Sequence, residues 1–283
     1  MAIKIEKVTY DYAPNTPFSY VALNGVTTEI PAGKITAIVG ATGSGKSTLV
    51  QHLNGLLQPT EGKVEVFDHV IEAGVKATGL KALRQRVGLV FKFPEMQLFD
   101  DTIYKDVSFG PKNFGMDEDT IRTNVTRSLD LVGISEDLWE RSPLKLSGGQ
   151  KRRVAIAGVL ATDPDLIVLD EPTAGLDPQG SKSMMELFDR LNKQYNKTIL
   201  MVTHDMEHVL NYCDHVIVMD NGEVLSESDV NTFFANRELF KGLDFVKPLI
   251  LQLQEALDDK GFDVPLTSDL DELVGSLLKE VKR

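Results

Sequence analysis

Short, wholly apolar runs alternate with longer segments of helical spacing along most of this chain. Residues 35–39 read as a buried strand, followed at once by a glycine-rich turn and a helix over 49–57. Residues 1–10 alternate charged and apolar side chains, and 64–67 and 87–91 are further strand candidates. Over 117–132, Ile121, Val125, Leu129 and Val132 fall on one helical face. Residues 166–169 and 198–202 are β-branched-rich strands flanked by helical segments. Residues 216–219 and 223–226 flank Asp220-Asn221-Gly222, the spacing of a hairpin with an Asn-Gly turn. Strands apolar along their whole length are buried on both faces, so the pattern predicts a largely parallel sheet covered by helices.

The pattern changes near residue 229, beyond which no strand is predicted. Leu270, Leu273, Val274, Leu277, Leu278 and Val281 follow helical spacing. Ser268, with Asp271 three residues on, marks the start of that helix in the manner of a capping box. Phe245, Leu249, Leu253 and Leu257 recur every four residues and predict another helix before it. A boundary is expected within 228–240, dividing a domain over 1–228 from a helical extension over 229–283. No repeat or low-complexity tract is evident.

Composition then narrows the class. The 283 residues are 42% hydrophobic and 25% charged, enough to bury a sizeable core. A formal net charge of -12 argues against a dedicated nucleic-acid binder, which presents a basic face. The single cysteine, Cys213, excludes an intramolecular disulfide framework, fits a reducing compartment and reads as a small core residue. Residues 1–10 have no apolar signal-peptide core, and no run approaches the roughly 18 apolar residues of a membrane span. A membrane role is therefore expected only through a partner.

The chemistry begins at Gly40-Ala41-Thr42-Gly43-Ser44-Gly45-Lys46-Ser47, a full G-x-x-x-x-G-K-[ST] match followed by Thr48. The glycines let the backbone turn its N–H groups inwards as a phosphate nest, joined by the N-terminus of the following helix. Lys46 is expected to reach the β- and γ-phosphates, and Ser47 to offer its hydroxyl to Mg²⁺. Asp170 and Glu171 follow the apolar run 166–169 and so fall at the carboxyl end of a strand, where parallel sheets place ligands. Asp170 is suited to hold Mg²⁺ and Glu171 to polarise the attacking water. In Leu146-Ser147-Gly148-Gly149-Gln150, Ser147 and Gln150 have the spacing of a capping box for a helix over about 149–162. Such a helix start, with two glycines and an exposed serine, is a second anion site beside the complete P-loop.

With these motifs in this order, followed by Ala174-Gly175-Leu176-Asp177 and by His204 after the strand at 198–202, residues 1–228 resemble the ATP-binding cassette (ABC) ATPases. The resemblance implies an α/β P-loop NTPase with a mixed-sheet core and a helical subdomain at about 93–160. It implies ATP and Mg²⁺ as cofactors and a head-to-tail dimer, in which the 146–150 segment closes over the nucleotide in the partner's P-loop. Asp177 would lie at that interface, and His204 would couple the γ-phosphate to Glu171. It also implies an aromatic side chain stacked on adenine near the N-terminus: Tyr12, with Tyr10, Phe18 and Tyr20 as rivals.

Four further segments narrow the resemblance: 51–57 (Gln-His-Leu-Asn-Gly-Leu-Leu), 93–99 (Phe-Pro-Glu-Met-Gln-Leu-Phe), 109–114 (Phe-Gly-Pro-Lys-Asn-Phe) and 152–158 (Arg-Arg-Val-Ala-Ile-Ala-Gly). They are similar to energy-coupling factor (ECF) transporter ATPases, most of all the second, A′-type. That implies a peripheral subunit at the cytoplasmic face of a membrane, paired with a second ECF ATPase beneath a T component. A separate S component captures a vitamin or other micronutrient. The 229–283 extension would then aid dimerisation. Lys92, Phe93 and Pro94 would begin the loop that meets the membrane subunit. The family has glutamine where Lys92 stands, and a lysine is a donor only, so Lys92 is expected to weaken hydrolysis while leaving ATP binding intact. The alternatives are a non-catalytic regulatory ATP-binding subunit and a soluble ABC ATPase acting on DNA or ribosomes.

Overall fold

The computed structural model describes residues 3–242 and 245–281. The chain opens with two long antiparallel strands, β1 (Ile3–Tyr12) and β2 (Tyr20–Ile30), then the short β3 (Ile35–Val39) and helix α1 (Lys46–His52). The antiparallel pair β4 (Glu61–Val66) and β5 (His69–Glu72) follows, then α2 (Leu80–Arg86) and β6 (Val87–Val90). Next come α3 (Ile103–Phe114), α4 (Glu118–Leu131) and α5 (Gly148–Leu160). β7 (Leu166–Asp170), α6 (Pro178–Tyr195), β8 (Thr198–Val202), α7 (Met206–Tyr212), β9 (His215–Asp220) and β10 (Glu223–Asp229) complete the sheets. The remainder is helical: α8 (Val230–Ala235), α9 (Arg237–Gly242), α10 (Leu249–Asp258) and α11 (Leu270–Val281).

Two sheets result. One is antiparallel, in the order β2-β1-β4-β5; the other runs β10-β9-β3-β8-β7-β6. In the second, all neighbours from β9 to β6 are parallel and only the edge strand β10 is antiparallel. Its strands are apolar throughout because they face two cores, and the two-residue period sorts their side chains. Ile167, Leu169, Ile199, Met201, Val216 and Val218 join the core beneath the helices. Leu166, Val168, Leu200, Val202, Ile217 and Met219 join the core shared with α1 and the antiparallel sheet. The pairing of Ile167 with Ile199 and of Leu169 with Met201 keeps like faces together. Cys213 is buried in the first core, as expected.

The hairpin at 220–222 forms as its sequence predicts, with Asn221 at φ 48° and Gly222 at φ 80°, the left-handed pair an Asn-Gly turn requires. The helix expected over 117–132 forms as α4, its first turn capped by Asp117, whose carboxylate accepts the Thr120 N–H at 2.9 Å. The strands expected over 1–10 and 64–67 form as β1 and β4, and periodicity missed their antiparallel neighbours β2 and β5. β2 mixes buried and exposed residues without strict alternation, and register shifts interrupt its pairing with β1. The helix expected over 49–57 instead starts at Lys46 and stops at His52. Gly55, in left-handed backbone at φ 65°, turns the chain out of the helix.

In the C-terminal segment Asp269, not Ser268, caps α11: its Oδ1 accepts the N–H groups of Asp271 and Glu272 at 2.8 and 3.2 Å. The predicted apolar stripes divide. Leu251 and Leu273 are buried, while Leu249, Leu253, Leu270, Val274 and Leu278 are exposed. Met1, Ala2 and the side chain of Val281 lie outside the described residues. Phe233, whose ring centroid lies 4.9 Å from that of Phe234 and 5.0 Å from that of Phe240, joins with them α8 and α9 to the helix-side core.

His52 ends α1 fully buried, its Nδ1–H donating to Thr48 O at 2.8 Å and its ring edge-on to Tyr10 at 5.0 Å. Burial lowers its pKa from 6.5 to about 4, against a smaller raising effect of the Thr48 carbonyl. The folded protein therefore refuses a proton that the unfolded chain accepts. The resulting stability is present above pH 6.5 and is lost as pH falls toward about 4. Urea denaturation of wild type between about pH 7.5 and about pH 5 is expected to show roughly 2 kcal/mol more loss of stability than a His52→Leu variant.

Candidate functional site

Parallel pairing of β3, β8, β7 and β6 brings four strand ends to one edge of the sheet. β3 delivers the 40–46 loop, β8 delivers Thr203 and His204, β7 delivers Asp170 and Glu171, and β6 delivers Lys92. Residues from this edge and from β2 line a cleft of about 270 Å³: Thr42, Gly43, Lys46, Ser47, Thr48, Lys92, Asp170, Glu171 and Tyr20 are among them.

Glycine is required in the loop by both space and backbone. Gly40 and Gly45 have φ of 151° and 96°. A Cβ on Gly40 would stand 2.1 Å from Met219 O, and one on Gly45 would stand 2.5 Å from Ala22 O. The Lys46 ammonium donates to Gly40 O, Ala41 O and Ser44 Oγ at 2.8, 2.7 and 3.2 Å. Burial lowers its pKa, while the charges of Glu171 and Asp170 work in the opposite direction. Ser44 and Thr48 are buried, and Ala41 and Thr42 form the exposed outer rim of the loop.

Asp170 is buried at the end of β7, and burial lifts its carboxyl above the ordinary carboxylate range. The Ser47 hydroxyl opposes that, the Glu171 charge adds to it, and Lys92 and Lys46 oppose it. Glu171 follows in left-handed backbone, φ 52°, which few non-glycine residues adopt without constraint. The constraint is visible: its N–H donates to Val202 O at 3.0 Å, and its Oε1 accepts from His204 Nδ1–H at 2.8 Å. The expected proximity of Glu171 and His204 is thus present in the fold. Phe93 is also left-handed, φ 57°, and begins a 3-10 turn (Pro94–Gln97) after Lys92.

Other residues singled out in the sequence lie elsewhere. Ser147 and Gln150 form the expected capping box: Gln150 N–H donates to Ser147 Oγ at 3.3 Å and Ser147 N–H to Gln150 Oε1 at 3.1 Å. None of Leu146, Ser147, Gly148, Gly149, Gln150 or Asp177 lines the P-loop cleft. A Cβ on Gly148 or Gly149 would meet nothing within 4 Å, so this segment faces open space. Asp177 caps α6, accepting the Gly180 N–H at 2.6 Å. Tyr12 is partly exposed and its hydroxyl lies 3.3 Å from Thr48 Oγ1. Tyr20, its rival, donates to Gly43 O at 3.3 Å and lines the cleft itself.

Sequence reasoning passed over Arg152 and Glu95 as individual residues, although both stand in segments it had marked. Arg152 is buried and makes a two-pronged ion pair with Glu95. An arginine one turn into a capped, otherwise apolar helix face was the available signal.

A P-loop, a strand-end carboxylate pair and a glycine-rich capped helix on a doubly covered sheet define an ATP-binding cassette. The family model described as ABC transporter matches residues 23–174. The chain belongs to the ABC transporter family, within the energy-coupling factor transporter ATP-binding proteins. It is 47% identical over 285 aligned positions to "Energy-coupling factor transporter ATP-binding protein EcfA2" of Enterococcus faecalis, covering 100% of this chain and 98% of that one. The protein of the same name from Latilactobacillus sakei is 45% identical, covering 99% of this chain and 96% of the relative. Among solved structures, cbiO1 of Clostridium perfringens, part of the ABC transporter complex cbiONQ, superposes with a TM-score of 0.73 at 40% identity, covering 89% of this chain and 98% of that one. A dimeric ATP-binding cassette, MJ0796, in a post-hydrolysis state bound to ADP and Pi gives a TM-score of 0.71 at 30% identity, covering 81% and 98%.

The two sets of glycines respond differently to a methyl group. Gly45→Ala is expected to cost at least about 2 kcal/mol of folding stability, because positive φ and a backbone clash act together. Gly149→Ala, with open space around it, is expected to change stability by less than about 1 kcal/mol. Denaturant unfolding of the two variants beside wild type checks the contrast.

Proposed function

We propose that this chain is the ATP-binding and ATP-hydrolysing subunit of an ECF-type importer. It works peripherally at the cytoplasmic face of a membrane, with a second ECF ATPase and a T component, and serves vitamin or micronutrient uptake through an S component. Membership of the family makes it an ABC ATPase. The observation that carries the hydrolytic reading is the convergence of Lys46, Ser47, Lys92, Asp170 and Glu171 on one cleft. No helix among the described residues is long and apolar enough to cross a membrane, so a transport role here runs through partners.

The roles follow from position. Backbone N–H groups of the 40–45 loop and the Lys46 ammonium bind the nucleotide phosphates; Thr48 and the rim residues Ala41 and Thr42 complete the cradle. Lys46 already spans the loop through its carbonyls, so little reorganisation separates it from a phosphate oxygen. Tyr12, beside Thr48, stacks on adenine. Glu171 orients the attacking water, and His204 holds the Glu171 carboxylate and reaches the γ-phosphate. Charge stabilisation and positioning are what this reaction needs.

Magnesium fits the same wall. Asp170 and Ser47 offer one carboxylate and one hydroxyl, and no cluster of three His, Cys, Asp or Glu among the described residues forms a dedicated cage. This is the donor set of a cation that completes its shell with water and phosphate oxygens. When bound with the nucleotide, it supplies charge neutralisation at the β- and γ-phosphate oxygens.

The site is half of a composite one. Ser147, Gly148 and Gly149 are exposed away from this chain's cleft while Leu146 packs on its own core, a disposition that lets the 146–150 segment close a partner's nucleotide site, with Asp177 at the interface. In domain terms, 1–228 is the nucleotide-binding domain, with its helical subdomain at about 93–160, and 229–283 is the dimerisation extension. The exposed Leu249, Leu253, Leu270, Val274 and Leu278 support that use of the extension, because an amphipathic helix face left in water is unfavourable. Lys92, Phe93 and Pro94 begin the loop toward the membrane subunit, where Phe93, Met96, Phe99 and Phe109 are exposed.

Two variants test the assignment in the reconstituted complex. Glu171→Gln is expected to retain ATP binding while lowering phosphate release from this site at least about 100-fold. Undiminished release would remove Glu171 from the mechanism. Lys92→Gln is expected to raise steady-state hydrolysis about fivefold or more, by replacing a cation beside Asp170 with an amide oxygen. Equal rates would show that Lys92 imposes no brake.

A further inference from the structure

Three segments that the proposed function uses separately meet at one buried side chain. Arg152 lies one turn into α5 and is only 3% exposed. Its Nε and Nη2 donate to Glu95 Oε2 and Oε1 at 3.0 and 2.9 Å. Its Nη1 donates to Ala174 O at 2.6 Å and, at longer range, to Pro172 O at 3.4 Å. Glu95 sits in the 3-10 turn that follows Lys92 and Phe93. Pro172 and Ala174 belong to the turn that starts at Glu171, closed by the Ala174 N–H donating to Glu171 O at 3.1 Å.

Phe93 reinforces the junction. The Arg152 guanidinium lies 5.8 Å from its ring centroid, and a Cβ on Gly175 would stand 3.8 Å from its Cε1. Burial would raise the Glu95 carboxyl, but the hydrogen bonds and charge of Arg152 outweigh it and hold the group below its usual value. A buried guanidinium needs its charge and donors answered locally. Only a planar fork serves a carboxylate on one side and carbonyls on another; a lysine ammonium keeps the charge but not the two directions.

We propose that Arg152 is a positioning residue that makes the loop after β6, the turn carrying Glu171 and helix α5 move as one unit. A displacement of the 92–97 segment is passed through Glu95 to Arg152. From there it reaches the Glu171 turn through Ala174 and Pro172, and the Ser147–Gln150 end of α5 through the helix itself. The arginine therefore links this chain's own hydrolytic carboxylate to the segment offered to the partner's nucleotide. The inference rests on the reading of 92–94 as the membrane-facing loop and of Glu171 as the water-orienting group.

Arg152→Lys, Glu95→Gln and their combination, each assembled into the full transporter in vesicles, test it. Readouts are nucleotide affinity and thermal unfolding of the isolated chain, kcat and KM for ATP, and substrate taken up per ATP. Each single variant is expected to keep nucleotide affinity and KM close to wild type, KM within about twofold, while losing one partner of a buried ion pair lowers the unfolding midpoint. Each is expected to lower kcat about tenfold and to reduce substrate moved per ATP. The double variant is expected to be no worse than the poorer single, since both break the same link. Unchanged kcat and uptake in both singles would overturn the proposal. So would a loss of nucleotide affinity in parallel with kcat, the signature of a merely structural ion pair, and so would additive losses in the double variant. Glu171→Gln measured alongside keeps the two readings apart: normal turnover there fails the assignment of Glu171, whereas the link between Glu95 and Arg152 is judged on their own cycle.

Discussion

Everything at the candidate site depends on parallel pairing with matched faces in the six-stranded sheet. Because β3, β8, β7 and β6 point the same way, their carboxyl ends reach one edge. A one-residue slip in any of them would turn its buried set to the opposite core and its terminal side chain away from the cleft. Two hydrophobic cores, one on each face, hold the register. Hydrophobic burial of the strands thereby sets the placement of the charged groups at their ends.

The edge so formed concentrates groups that are unfavourable elsewhere. Lys46 and Asp170 are each pushed by burial toward neutrality, and each is drawn back by the other's charge. Glu171 holds a left-handed backbone stabilised by Val202 O and His204. Strain of this kind persists only where surrounding contacts over-determine it. The outer side of the same turn is tied to buried Arg152, so the Glu171 turn is restrained from two directions.

Two surfaces of the chain are left uncovered. The capped helix end at Ser147 is turned outwards, and the glycines beside it have nothing packed on them. The C-terminal helices bury Leu251 and Leu273 against their own chain and leave a second apolar face exposed. Both surfaces are compatible with the paired subunit proposed above.

Local chemistry was legible from the sequence wherever it is carried by contiguous residues. The P-loop, the carboxylates after β7, the Ser147–Gln150 box and the Asn221-Gly222 turn each follow from backbone rules acting within a few positions. So were the doubly buried strands, since unbroken apolar runs have one stable environment. What periodicity could not supply was anything set by a distant partner. β2 is irregular and half-exposed, so it carries no clean period. The terminal leucines announced helices but not which face would be buried, because that choice belongs to the surface they meet. Arg152 and Glu95 are 57 residues apart, and only the packing of α5 against the loop after β6 makes them a pair. The sequence alone determined that this protein binds nucleotide phosphates on a P-loop. The tertiary structure decided which side chains surround that loop, because parallel strand order, a long-range property, selects which chain ends share an edge.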